Sequence, residues 1–170
     1  NSANKNLYRV NMTEEKKIFS VEVEKILHLM IHSLYSNKEI FMRELISNAT
    51  DATTKLTHLS SLGEIKGDLG DLTIEVKVDK KAKKLHIIDK GIGMTQEEVQ
   101  KYINEVAFSG AEEFLEQYKD SAKDSGIIGH FGLGFYSAFM VSEKVENITK
   151  SFKDEPAAHW SCDGSPEYTF

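Results

Sequence analysis

Three polar residues in the first third of the sequence are spaced so that they share one face of a helix. Glu44, Asn48 and Asp51 stand at positions i, i+4 and i+7, which project from the same side of an α-helix. An amide oxygen beside a carboxylate could form part of a Mg²⁺ shell that water and phosphate oxygens complete. A solvated polar stripe is the alternative. Asn48 favours the site because it stands among apolar neighbours, where a stronger helix former is usual on a surface.

A second candidate site follows a segment of β-branched residues. Asp89 ends this segment, and Gly91 and Gly93 follow it, so a flat ligand could approach the backbone closely. A carboxylate can accept a hydrogen bond from the exocyclic amine of adenine, whereas the carbonyl of guanine would face it acceptor to acceptor. An unpaired buried acceptor costs about 1–3 kcal/mol, so this geometry would select adenine. An ordinary strand-terminal turn is the alternative.

A third candidate is the glycine-rich stretch that contains Gly129, Gly132 and Gly134. It leads into an apolar helix predicted over 133–141, and backbone amides at the start of a helix bind anions. The stretch lacks the GK[ST] ending of a Walker loop, so phosphates would have to be held differently. His130 could act as a base, but its apolar neighbours favour a packing or surface role.

The rest of the pattern predicts the elements that position these sites. Apolar residues recur at helical spacing over 21–34 and 39–58, which predicts two amphipathic helices. Thr95 and Glu98 predict a capping box on a helix over 96–106. The predicted strands are a hairpin of 72–78 with 84–89, followed by 144–152, 159–162 and 167–170. This order predicts an α/β (α+β) fold, a two-layer sandwich of a mixed, mostly antiparallel sheet covered on one face by helices.

Composition indicates a globular, cytoplasmic protein of one domain. Of its 170 residues 40% are hydrophobic and 28% charged, which disfavours a membrane or disordered protein. The net charge of −6 disfavours nucleic acid and anionic membranes as partners. Cys162 has no partner for an internal disulfide and is expected in the core, and no cleavable leader is recognised. Residues 1–17 are polar and aperiodic and are assigned to a flexible leader, leaving 18–170 as the domain.

The order and spacing of the three motifs resemble the fold family shared by type II topoisomerase ATPase subunits, MutL proteins, sensor histidine kinases and the ninety-kilodalton heat-shock chaperones. The resemblance is greatest to the N-terminal ATP-binding domain of the heat-shock protein 90 chaperones and covers about 18–170. It rests on YSNKEIFMRELISNA at 35–49, DKGIGMT at 89–95 and IGHFGLGFYSA at 128–138. The sequence AFSGAEEF at 107–114 resembles the corresponding segment of bacterial members more than that of cytosolic eukaryotic members.

This resemblance implies a role for each matching residue of the first motif. Glu44 would be the catalytic general base that activates the attacking water. Asn48 would hold Mg²⁺, with Asp51 nearby through water. Lys55 would face the phosphates of ATP or ADP.

The other two motifs would complete the nucleotide site. Asp89 would bind the adenine amine, and Gly93 and Met94 would line the base pocket. Residues 107–128 would form a lid, for which an ordinary surface helix is the alternative. The phosphates would be held by the backbone amides of Gly129, His130, Phe131, Gly132, Leu133, Gly134 and Phe135.

The chain departs from the chaperone pattern at two expected nucleotide contacts. Tyr102 stands where an asparagine is usual, and Phe108 stands where a lysine is usual. The resemblance also implies further strands after Phe170, including a threonine near adenine.

The resemblance therefore implies that this chain is the ATP-binding and hydrolysing domain of a stress-response chaperone. ATP would drive lid closure and the clamping of a homodimer that assists client proteins with co-chaperones, while this chain alone would be a monomer. A histidine-kinase-type catalytic domain is one alternative, disfavoured because phosphate transfer to histidine needs no water-activating carboxylate such as Glu44. A nucleotide sensor with negligible hydrolysis is another.

Overall fold

A computed structural model describes residues 16–32, 38–102, 110–113, 133–165 and 167–170. The helices are α1 (Val21–Ile31), α2 (Ile40–Ser61) and α3 (Gln96–Lys101), with a 3₁₀ helix at Gly134–Met140. The strands are β1 (Lys16–Ile18), β2 (Glu75–Asp79), β3 (Lys84–Ile88), β4 (Val145–Thr149), β5 (Ala158–Cys162) and β6 (Glu167–Thr169). No helix in these ranges is long and apolar enough to cross a membrane.

The strands form two antiparallel sheets. One has four strands in the order β1-β6-β5-β4, and the other is the predicted hairpin of β2 and β3. Every pairing among the described residues is antiparallel, which agrees with the mostly antiparallel sheet that the sequence predicts. The reason is local, because β4, β5 and β6 follow one another through short connections that suit antiparallel neighbours.

The four-stranded sheet buries one face beneath the helices. Burial alternates along β5, where Ala158, Trp160 and Cys162 point inward. Helix α1 contributes Val23, Ile26, Leu27 and Met30 to the same core. This arrangement confirms the predicted two-layer α/β sandwich. Cys162 is buried as expected, and burial raises the pKa of its thiol.

Helix α1 and helix α3 begin where their sequences predict. The Ser20 hydroxyl caps α1 by accepting from the N–H of Val23 at 3.3 Å. Thr95 and Glu98 form the predicted capping box of α3, since each side chain accepts from the other residue's N–H, at 3.0 and 3.1 Å. The parts of the two predicted helices at 33–34 and 103–106 lie outside the described residues.

Two elements differ from the sequence prediction. Strand β1 begins at Lys16, inside the segment assigned to a leader, and pairs Lys16 with Thr169 of β6. Three residues are too few for a periodic signal, and the strand exists because β6 offers a free edge. The helix predicted at 133–141 is a 3₁₀ helix over Gly134–Met140. The Tyr136 N–H donates to the Leu133 carbonyl at 3.0 Å, a three-residue step that matches 3₁₀ geometry.

Candidate functional site

Helix α2 carries the first motif as the spacing predicts. Its buried side chains are Ile40, Ala49 and Leu56, which fix the orientation of the helix on the core. Glu44 is half-buried, whereas Asn48, Asp51 and Lys55 are exposed. None of these last three side chains forms a hydrogen bond or ion pair within the part of the chain that the structure describes. Their polar atoms are therefore accessible to a ligand.

The turn after β3 is attached directly to the backbone of α2. The Ile92 N–H donates to the Ala52 carbonyl oxygen at 3.0 Å, and the Ile92 carbonyl accepts from the Phe152 N–H at 3.0 Å. Gly91 lies so close to α2 that a Cβ at this position would overlap the backbone of Ala52. No larger residue fits at Gly91, and the second motif is held against Ala52 as a result.

Asp89 stands at the start of this turn and is exposed. One of its carboxylate oxygens, Oδ1, accepts from the Gly91 N–H at 2.9 Å, so the second oxygen remains available to accept from a ligand. Because the Asp89 carboxylate is exposed, the cost of an unpaired buried acceptor would select adenine only in a complex where the base covers this carboxylate.

Gly93 and Met94 connect the turn to the four-stranded sheet. Gly93 has a φ of +63°, which favours glycine, and a Cβ there would overlap the Lys150 carbonyl oxygen. The Met94 N–H donates to the Thr149 Oγ1 at 3.0 Å, and the half-buried Met94 side chain packs against the core. Sequence analysis did not identify the Thr149 contact. No local signal could have indicated it, because the two residues are 55 positions apart.

The glycine-rich stretch meets α2 at Glu44. A Cβ built on Gly134 would lie 2.6 Å from the Glu44 Oε2, so a side chain at this position would displace the carboxylate. Leu133 is fully buried beside it, and Phe135 packs against Trp160 with ring centroids 5.2 Å apart. The other predicted phosphate contacts lie outside the described residues, namely Gly129, His130, Phe131 and Gly132.

Helix α2 therefore brings parts of all three motifs together. Gly134 contacts it at Glu44, and Gly91 contacts it at Ala52, eight residues or about 12 Å further along the helix axis. The exposed Asn48 and Asp51 lie in sequence between these two contacts. Among the described residues, no group of three or more His, Cys, Asp and Glu side chains could hold a metal ion. A cation at Asn48 would thus depend on water or phosphate oxygens.

Tyr102 is near Glu44, although sequence analysis left it out of the site. It caps the C-terminal end of α3 and is half-buried against the core. Burial, and then the negative charge of Glu44, raise the pKa of the Tyr102 phenol. The departure from the chaperone pattern at this position was the signal that could have drawn attention to it.

Comparison with known proteins agrees with this arrangement. The family described as histidine kinase-, DNA gyrase B-, and HSP90-like ATPase matches residues 35–167. The chain is 58% identical over 156 residues to the chaperone protein HtpG of Porphyromonas gingivalis, covering 91% of this chain and 22% of that protein. The corresponding protein of Bacteroides thetaiotaomicron is 59% identical over 156 residues, with the same coverage. That of Cronobacter sakazakii is 51% identical over 161 residues, covering 92% of this chain and 26% of the relative.

The chain thus spans about a quarter or less of the length of these relatives. The family match covers well over half of the chain and includes all three motifs. The contacts of Gly91 and Gly134 with α2 connect those motifs in space. The chain belongs to the histidine kinase-, DNA gyrase B-, and HSP90-like ATPase family.

Proposed function

We propose that this chain is the ATP-binding and ATP-hydrolysing domain of a molecular chaperone. Its family membership and its identity to bacterial chaperones support the assignment. The structural observation that carries it is the pair of close contacts on α2, of Gly134 with the Glu44 side chain and of Gly91 with the Ala52 backbone, with exposed Asn48 and Asp51 between them. A nucleotide bound along this side of the helix meets the second motif at one end and the glycine-rich stretch at the other.

Each end of the nucleotide has its own set of residues in this proposal. Asp89 accepts from the adenine amine through the carboxylate oxygen that Gly91 leaves free, and Gly93 and Met94 line the base pocket. Lys55 is exposed on α2 and faces the phosphates. The amides of 129–135 hold the phosphates from the other side.

Glu44 acts as the general base in the proposed hydrolysis. Phosphoryl transfer to water depends mainly on positioning and electrostatic stabilisation, and Glu44 is held in place by its packing against Gly134. Asn48 and Asp51 offer exposed oxygen atoms without partners in the described ranges, which is the donor set that Mg²⁺ prefers. When bound, Mg²⁺ would neutralise phosphate charge, with Asn48 as its direct ligand and Asp51 acting through water.

The proposal for the whole protein extends beyond this chain. Residues 107–128 act as a lid, and ATP drives lid closure and clamping of a cytoplasmic homodimer. Client proteins and co-chaperones are the partners. These features are supported by the resemblance to the chaperones and by the names of the relatives.

Isothermal titration of the purified chain with ADP and GDP, each with and without Mg²⁺, tests the binding function. ADP is expected to bind a monomeric chain, to bind more tightly with Mg²⁺, and to be preferred over GDP by at least about tenfold, because the guanine carbonyl faces the Asp89 carboxylate. Equal affinities for ADP and GDP would contradict the role of Asp89. An absence of binding by either nucleotide would contradict the function.

A further inference from the structure

Two histidines share the solvent-exposed side of α1, on a different helix from the proposed nucleotide site. His28 and His32 stand four residues apart, and both are exposed. The buried side chains of the same helix are Val23, Ile26, Leu27 and Met30. Because residues four apart lie one above the other on a helix, the two histidines form a pair on the side of α1 that faces away from this core.

The two imidazole rings lie close together. Their centroids are 4.2 Å apart, and the ring planes are inclined by 57°. The His32 N–H donates to the His28 carbonyl oxygen at 3.1 Å, so a helical hydrogen bond fixes the distance between the two backbones. Neither side chain forms a hydrogen bond or ion pair with another residue in the described ranges. The ring nitrogens are therefore accessible to a ligand.

Two imidazoles at this spacing are a chelating pair for a transition-metal ion. The motif His-x-x-x-His on a helix places both rings on one face, as in zinc-binding helices. Zinc–nitrogen bonds are about 2.0–2.1 Å long, so two nitrogens bound to one ion lie roughly 3 Å apart. Exposed side chains change rotamer within nanoseconds, and the two neighbouring rings reach this spacing by rotation alone. Leu29 stands where zinc proteases carry a glutamate base, so the pair is suited to binding and not to hydrolysis.

The electrostatic field at this end of α1 favours a cation. Helix α1 ends at Ile31, with His32 as its C-cap, and the carbonyl end of a helix carries partial negative charge. One turn before His28, the exposed Glu24 and Lys25 contribute charges of opposite sign, which largely cancel. The helix terminus therefore decides the sign of the local field.

We propose that His28 and His32 bind one divalent transition-metal ion, with water molecules completing its coordination shell. No group of three or more His, Cys, Asp and Glu side chains in the described ranges could hold a metal ion, so the described residues supply two ligands here. Imidazole suits Cu²⁺, Ni²⁺ and Zn²⁺, and Cu²⁺ is expected to bind most tightly. Mg²⁺ prefers oxygen ligands, so this site is chemically distinct from the proposed one at Asn48 and does not depend on the proposed ATPase function.

Isothermal titration of the purified chain with Zn²⁺ and with Cu²⁺, near neutral pH, tests the site. Wild type is expected to bind one ion per chain, with Cu²⁺ bound more tightly than Zn²⁺, and Mg²⁺ in about hundredfold excess should not compete. His28→Ala and His32→Ala should each weaken binding at least about tenfold, because each leaves a single imidazole.

His58→Ala is the matched control. His58 is also exposed and lies in the last turn of a helix, α2, but it has no second histidine four residues away on either side, so its loss should leave metal affinity unchanged. Urea unfolding supplies a second readout, since an ion that binds only the folded helix raises stability. Saturating Zn²⁺ should raise the unfolding midpoint of wild type and His58→Ala and leave that of His28→Ala unchanged. Without metal, the three midpoints should agree, because these side chains are exposed.

The possible outcomes separate this site from other modes of metal binding. Wild-type affinity in His28→Ala or His32→Ala would overturn the site. An equal loss in His58→Ala would also overturn it, since metal would then be bound by scattered surface histidines. One ion per two chains would replace the single-chain site with an ion shared between two copies. ADP affinity in His28→Ala should match that of wild type, so failure of the metal site and failure of the nucleotide site are distinguishable.

Discussion

The Ile92 N–H donates to the carbonyl oxygen of Ala52 at 3.0 Å, which joins the turn after β3 to the middle of α2. A carbonyl oxygen inside a helix normally accepts only from the N–H four residues later in the same helix. The additional bond from Ile92 therefore requires the two backbones to come unusually close. Gly91 makes the approach possible, because any Cβ there would overlap Ala52. The distance between Asp89 and the polar face of α2 is thereby set by backbone contacts.

Gly91→Ala is expected to separate the turn from α2. Overpacking against a backbone that cannot rotate away should lower the free energy of unfolding by about 1–3 kcal/mol, measured by urea denaturation, and ADP affinity should fall with it. Gly67→Ala is the control, since Gly67 has a φ of +94° and no neighbour within 4 Å of an added Cβ. Gly67→Ala should lower the free energy of unfolding through backbone strain, without loss of ADP affinity. Wild-type stability and affinity in Gly91→Ala would contradict the close contact.

Asp89→Asn is expected to weaken ADP binding while leaving the fold intact. The side chain is exposed, and the asparagine oxygen can still accept from the Gly91 N–H. Loss of the charged acceptor for adenine should cost about 1–3 kcal/mol, or roughly 5- to 150-fold in affinity by calorimetry. Asp71→Asn is a matched control, because Asp71 is also exposed and accepts from the N–H of Thr73, two residues later, at 3.0 Å. Unchanged ADP affinity in Asp89→Asn would reject the adenine contact.

The features predicted correctly from sequence are those that depend on neighbouring residues. The capping box can be predicted from Thr95 and Glu98 alone. The polar face of α2 can be predicted from the spacing of Glu44, Asn48 and Asp51. The hairpin follows from alternation in two adjacent segments, and its strands form as Glu75–Asp79 and Lys84–Ile88. Such signals are complete within roughly 18 residues.

The features that sequence analysis did not predict depend on contacts between distant segments. The bond from Met94 to Thr149 joins segments that are 55 positions apart, and it leaves no local pattern. Strand β1 exists because β6 is beside it. The 3₁₀ form of Gly134–Met140 reflects three-residue bonding that a general helical pattern does not distinguish from an α-helix.

Glu98→Gln is expected to change how stability depends on pH. The pKa of Glu98 is lowered from 4.5, first by the bond from the Thr95 N–H and also by Lys153, whose Nζ lies 3.8 Å from Oε1. Because the folded pKa lies below the unfolded one, this stabilisation is present above about pH 4.5 and is lost as the pH falls through the folded value. Glutamine keeps the capping acceptor but cannot ionise.

Urea unfolding between pH 7 and pH 3 measures this effect. Below about pH 4.5, the free energy of unfolding of Glu98→Gln should fall less steeply with decreasing pH than that of the wild type. Glu97→Gln removes an exposed carboxylate that takes no part in the cap, and it should keep the wild-type slope. Parallel curves for Glu98→Gln and wild type would show that the cap bond is not linked to proton binding.

Glu44→Ala is expected to separate nucleotide binding from hydrolysis. The carboxylate packs on Gly134, whereas the base contact at Asp89 depends on the turn near Ala52, so ADP affinity should stay within about threefold of wild type. Loss of a general base typically slows the chemical step by about 10²–10⁴-fold, measured as ATP turnover in the protein expressed from its natural gene. Glu24→Ala, an exposed carboxylate on α1, should keep wild-type turnover. Turnover retained in Glu44→Ala would assign the base to another residue, and ADP binding lost in parallel would instead make Glu44 part of the binding surface.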